Sequence, residues 1–141
     1  MAKKQKTRRT AEFGDFQTPE PLARQVCALL ARTSRKPASV VEPTCGEGSF
    51  LLAALEQYPG AQQAIGLDIN EQYIERLRSE LRRRGQTAKP RLLRRDFFRT
   101  DWERMLDPLP EPILMLGNPP WITNAQLGVL GSSNLPEKSN F

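Results

Sequence analysis

Strand-like and helix-like segments alternate along this chain, and no other feature narrows the choice of fold as much. Strand patterns occur at Ser39–Glu42, 64–68, 91–95 and 113–116. A helix is expected over 18–32, where Leu22, Val26, Leu29 and Leu30 recur at helical spacing. Thr18 is read as its cap and Pro19 as its first helical residue. A second helix over 49–58 carries Phe50, Leu51, Leu52 and Leu55, and Pro59-Gly60 stops it. A third over 71–84 places Tyr73, Ile74, Leu77 and Leu81 on one face and ends at Gly85. Strands alternating with helices imply an α/β domain with a parallel sheet wound by right-handed crossovers. Ligands on such a sheet bind at the carboxyl ends of its strands. The chemistry is therefore sought in 42–48, at Asp68, at Asp96 and in 118–121.

Composition removes many alternatives. The chain has 141 residues, enough for one domain with a core of its own. Its longest apolar run, 50–55, is far short of the ~18 residues that a membrane span needs. Cys27 and Cys45 cannot build a disulfide framework, so a reducing, cytoplasmic setting is expected. There is no histidine, which excludes a Cys/His zinc site and the Ser-His-Asp and Cys-His nucleophile systems. Lys and Arg number 21 against 16 Asp and Glu, a net charge of +5. Lys3, Lys4, Lys6, Arg8 and Arg9 alone equal that excess, and residues 1–12 are read as a basic flexible tail. Such a tail fits phosphate contact and a merely solvated terminus equally well. The second basic cluster, around Arg82-Arg83-Arg84, is read as a solvated helix end that offsets the helix dipole.

Gly46-Glu47-Gly48 opens a helix, and Asp68 lies twenty residues beyond Gly48. That spacing matches sites in which an acid takes the hydroxyls of a ribose. Glu42, Asp68 and Asp96 each close a different strand, so three negative charges are expected around one crevice. Such a crevice would repel a pyrophosphate, and no Gly-Lys-Ser/Thr phosphate loop is present. It suits a cation that also carries hydroxyls and an amine, and S-adenosylmethionine meets that description. Asn118-Pro119-Pro120-Trp121 is the most specific element. Its prolines stiffen the backbone and remove two N–H donors. Asn118 offers a side-chain carbonyl, Pro119 a backbone carbonyl and Trp121 a flat face, which together can hold a planar group bearing an NH₂.

These residues resemble the γ-type DNA adenine-N6 methyltransferases of restriction-modification systems. Phe13-Gly14-Asp15-Phe16-Gln17-Thr18-Pro19 looks like their N-terminal cofactor motif. Glu42-Pro43-Thr44-Cys45-Gly46-Glu47-Gly48-Ser49-Phe50 is similar to their glycine motif. Gly66-Leu67-Asp68-Ile69-Asn70 resembles the ribose-binding motif, Asp96-Phe97-Phe98 the cofactor-adenine motif, and Asn118-Pro119-Pro120-Trp121 the catalytic tetrad. The resemblance implies a Rossmann-like S-adenosylmethionine-dependent methyltransferase fold, here with its first four strands. It implies cofactor contacts at Phe16, Thr18, Glu42, Cys45, Gly46, Gly48, Asp68, Ile69, Asp96 and Phe97. Thr18, Glu42 and the Cys45-Gly46 backbone would meet the amino-acid end, Asp68 the ribose, and Asp96 with Phe97 the adenine. Asn118, Pro119, Pro120 and Trp121 would hold an adenine flipped out of double-stranded DNA, and no metal is called for.

Enzymes of this kind continue with three more strands and a target-recognition region. The expected organisation is a core over 13–124 and a polar segment over 125–141, with recognition supplied by a further region or a partner chain. The 141 residues alone are expected to bind cofactor weakly without methylating DNA. Methylation of a protein glutamine or an RNA amine, or a non-catalytic cofactor-binding role, are the competing readings.

Overall fold

The computed structural model describes residues 17–33, 35–85 and 90–119. The basic tail, Phe16, Pro120, Trp121 and the 125–141 segment lie outside the described residues. Helix α1 spans Glu20–Thr33, β1 Ser39–Glu42, α2 Ser49–Gln57, β2 Gln63–Asp68, α3 Glu71–Arg83 and β3 Arg91–Arg94. A 3-10 turn at Phe97–Arg99, the short helix α4 at Trp102–Leu106 and β4 at Ile113–Met115 follow. All strand pairs are parallel, in the order β3-β2-β1-β4. The four strands fall where the sequence pattern puts them, within a residue at each end. The 3-10 turn and α4 were not expected.

The core follows from alternation along the two central strands. Val40 and Ala64 join a cluster with α1, α2 and α3, built around Ala23, Cys27, Leu51, Leu52, Leu55, Ile74, Leu77 and Leu81. Val41, Ile65 and Leu67 point to the other face, where Leu109 and the α4 residues Trp102, Met105 and Leu106 cover them. Successive side chains of a strand face opposite ways, so this split needs helices on both sides of the sheet. Leu51 and Ile65 are fully buried, and each such side chain contributes roughly 1.5–3 kcal/mol of transfer free energy. At Gly66 a Cβ would lie 3.0 Å from Leu51 Cδ2 and 3.1 Å from Leu92 Cδ2. The missing side chain lets α2 settle closely on β2.

Helix α1 starts one position later than the sequence implies. The Pro19 carbonyl accepts from Leu22 (3.0 Å) and Ala23 (3.1 Å), so Pro19 is the cap residue and Glu20 the first helical one. Thr18 lies outside the helix. Helix α3 is capped by the Asn70 side chain, which accepts from the Gln72 N–H at 3.0 Å, and Gly85 closes it with φ +61°. Arg84, mostly buried, joins Glu20 of α1, Glu56 of α2 and Glu80 of α3 in one ion-paired group, with Arg24 on its edge. This group fastens the three helices at one end. Among the described residues no helix is long and apolar enough to cross a membrane.

Candidate functional site

The turn after β1 is drawn tight by four backbone amides. Cys45 N–H donates to the Leu67 carbonyl (2.6 Å) and Gly48 N–H to the Cys45 carbonyl (2.6 Å). Gly46 N–H donates to Asp68 Oδ2 at 2.8 Å, and Glu47 N–H to Gln17 Oε1 at 2.9 Å. Gly46 and Gly48 have φ of +50° and +85°, a region that L side chains rarely adopt. A Cβ on Gly48 would come within 2.3 Å of Leu77 Cδ1. The turn therefore lies hard against α3, which leaves no room for a capping side chain at that position.

Glu42 makes good that loss. Its Oε2 accepts from the Leu51 N–H at 2.7 Å, the third residue of α2, so a carboxylate from the preceding strand caps the helix. Glu42 is 3% exposed. Burial pushes its carboxyl well above the usual range, the Leu51 N–H pulls it back, and the nearby Asp68 charge adds to the rise. The picture of three comparable charges around one crevice is changed accordingly: Glu42 sits inside the wall, where burial favours its neutral form. Burial also raises Cys45, and it pushes Cys27 up to about 11, so both thiols stay protonated at neutral pH.

Asp68 is half-buried at the end of β2. Oδ2 takes the Gly46 amide and Oδ1 the Asn70 N–H at 2.7 Å. The β4 turn joins the same edge, because Thr44 Oγ1 donates to the Asn118 carbonyl at 3.1 Å. A Cβ on Gly117 would lie 3.6 Å from Glu42 Cγ. The structure thus brings Glu42, Cys45, Gly46, Gly48, Asp68 and the Asn118 backbone together.

Asp96 lies one strand further out and closes a local turn. Its Oδ1 accepts from the Phe98 N–H at 2.9 Å, and its carbonyl accepts from Thr100 Oγ1 at 2.6 Å. Phe97 is half-buried in a ring cluster, edge-on to Phe98 at 5.1 Å and tilted against Trp102 at 5.4 Å. Trp102 Nε1 donates to the Phe97 carbonyl at 3.0 Å. Phe98, rather than Phe97, is the widely exposed ring, at 63%, and Ile69 is 60% exposed at the end of β2. Gln17, Thr44 and Phe98 were not singled out from the sequence. Phe98 had a signal in its place beside Asp96, whereas Gln17 contacts a residue thirty positions away that no local pattern reveals.

The amides of Cys45, Gly46, Glu47 and Gly48 are taken internally and are not free to cradle a phosphate. Asp68, half-buried at the end of β2, leaves the edge suited to a ligand with hydroxyl groups. Sheet order, helices on both faces and a glycine turn facing an acid make a Rossmann-like arrangement, the kind on which class I S-adenosylmethionine-dependent methyltransferases are built.

Comparison with solved structures agrees. A type I restriction-modification methyltransferase subunit from Streptococcus thermophilus superposes with TM-score 0.52 and 26% identity over 71% of this chain and 22% of that one. A modification subunit assigned to a type I restriction enzyme from Vibrio vulnificus gives TM-score 0.59 and 24% identity over 86% of this chain and 26% of that one. Among curated proteins, the Type II methyltransferase M.NspV of Nostoc sp. is 40% identical over 130 residues, 92% of this chain and 27% of its own length. The Type II methyltransferase M.XamI of Xanthomonas campestris pv. amaranthicola is 31% identical over 120 residues, 85% of this chain and 22% of its own. No family model matches. Over nearly its whole length, then, the chain is similar to type II methyltransferases, of which it spans about a quarter.

Proposed function

We propose that this chain carries the cofactor site and the acceptor corner of an enzyme that methylates the N6 amine of adenine in double-stranded DNA, within a restriction-modification system. The observation that carries the reading is the pair of hydrogen bonds on the glycine turn. Gly46 N–H donates to Asp68, the proposed ribose acceptor, and Thr44 Oγ1 of the same turn donates to the carbonyl of Asn118, the proposed acceptor of the target amine. The likeness to two type II methyltransferases supports it.

S-adenosylmethionine, when bound, supplies a methyl group on a positively charged sulfur. Asp68 would accept the ribose hydroxyls through lone pairs on oxygens already steadied by Gly46 and Asn70. Thr18 and the Cys45-Gly46 backbone would border the amino-acid end. Glu42 in the wall would regain its charge beside an ammonium, because a nearby cation favours the ionised carboxylate. Ile69, Asp96, Phe97 and the exposed Phe98 would receive the adenine of the cofactor.

An exocyclic adenine amine is a poor nucleophile, since its lone pair is delocalised into the ring. Asn118 and the Pro119 carbonyl would accept its two hydrogens, raise its electron density and stabilise the positive charge that grows as the N–C bond forms. Holding nitrogen and methyl in line at about 3–3.5 Å supplies much of the remaining rate. Pro120 would stiffen the corner, and Trp121 would stack on the flipped base, offsetting part of an unstacking cost on the order of a few kcal/mol.

The test, made with the full-length protein that carries this chain, is transfer of labelled methyl from S-adenosylmethionine to DNA, RNA and protein, with calorimetric cofactor binding measured in parallel. Label on adenine N6 of DNA supports the proposal, and label on RNA or on a protein glutamine overturns the substrate. Asn118→Ala should abolish transfer and leave cofactor affinity nearly intact. Asp68→Ala should weaken the cofactor first. If neither changes anything, the site is wrongly assigned.

A further inference from the structure

We infer that Gln17 is a positioning residue for the cofactor, holding the glycine turn against the residues that lead into α1. The inference rests on the reading of the site as an S-adenosylmethionine site. Three of the four turn amides are held from within the β1–β2 unit: Cys45 by Leu67, Gly46 by Asp68 and Gly48 by Cys45. The Glu47 amide is held instead by Gln17, thirty residues earlier, at 2.9 Å.

The Gln17 carboxamide also lies across Gly46. A Cβ there would stand 2.2 Å from Oε1, 2.7 Å from Nε2 and 2.8 Å from Cδ. The bare α-carbon of Gly46 is thus covered by an amide arriving from the N-terminal side. The Glu47 side chain also pairs with Arg76 of α3 at 3.1 Å in a solvent-exposed contact.

Position gives the contact its consequence. Gln17 directly precedes Thr18, the residue assigned to the amino-acid end of the cofactor. One hydrogen bond therefore fixes the spacing between Thr18 and the Cys45-Gly46 backbone, the two sides of that subsite. An exposed neutral hydrogen bond contributes little to fold stability, so its loss should be felt in binding more than in folding. Within binding, the loss should fall on the amino-acid end rather than on the nucleoside.

Calorimetric titration with S-adenosylmethionine and with adenosine, on the unsubstituted chain, Gln17→Ala and Gln17→Glu, tests this. Gln17→Ala should weaken S-adenosylmethionine about five-fold and leave adenosine within about two-fold. Its thermal midpoint should move by no more than about 2 °C. Gln17→Glu keeps an oxygen acceptor for Glu47 and should restore S-adenosylmethionine affinity to within about two-fold. Unchanged S-adenosylmethionine affinity in Gln17→Ala overturns the inference and leaves the site reading standing. Equal weakening of both ligands, or a large thermal loss, reduces Gln17 to support of the fold and overturns it as well. If the unsubstituted chain binds neither ligand, the site reading falls and this inference with it.

Discussion

The turn after β1 and the turn after β3 each carry a carboxylate that accepts a backbone N–H, yet the two are built differently. Glu42 reaches nine residues on to cap α2 from inside the protein, beside a glycine that Leu77 keeps free of a side chain. Asp96 reaches two residues on and caps a single turn at the surface. The first turn is determined by three elements at once, and any change there is felt by the sheet and two helices. The second is closed by its own residues and leaves Phe98 bare. A methyltransferase fold can thus keep one half of its ligand edge rigid while the other half remains a local matter of one turn.

The sharpest way to break the comparison is Gly48→Ala. Strain at φ +85° and the clash with Leu77 together should cost about 3 kcal/mol, read from the urea midpoint. A loss below 1 kcal/mol, on the order of an ordinary surface change, would mean the β1 turn is not over-determined.

Asp68→Ala comes next. It removes the acceptor for Gly46 and Asn70 as well as the proposed ribose contact, and should weaken S-adenosylmethionine by about thirty-fold in a titration.

Glu42→Gln sharpens the contrast through pH. The carboxyl of Glu42 is raised in the folded state by burial above all, so the folded protein holds that proton more tightly than the unfolded chain does. Its contribution is fully present below the ordinary carboxylate range and is lost as pH rises through the raised value. The unsubstituted chain should therefore lose stability relative to Glu42→Gln as pH rises through the raised Glu42 value. Glu42→Gln keeps an oxygen for Leu51 and has no proton to lose, so the difference between the two denaturation midpoints should change with pH. A parallel pair of curves would count against the buried, neutral Glu42.

The smallest effect belongs to the β3 turn. Asp96→Ala removes one surface cap and should lower stability by only about 0.5–1 kcal/mol. A loss as large as that of Gly48→Ala would erase the distinction between the two turns.

Much of this was legible beforehand because central parallel strands leave a strong trace. Val40-Val41 and Ile65-Gly66-Leu67 are apolar on both faces and run straight into turn chemistry, so the strands and the ligand edge could be read directly. Helix α4 left no such trace, since five residues are too few for a helical period to repeat. The burial of Glu42 was hidden for a different reason. An acid at a strand end looks exposed until one knows that Gly48 cannot cap α2 and that another group must. The contact of Gln17 with the Glu47 amide was invisible because the two are distant in sequence and near only in the folded chain.

The link from Thr44 to the Asn118 carbonyl has a consequence of its own. In the proposed reaction, donor and acceptor would berth on neighbouring turns riveted by a single hydroxyl to main-chain oxygen. The gap that the methyl must cross would then be gauged by the polypeptide itself, leaving the surrounding surface free to drift as target preferences change.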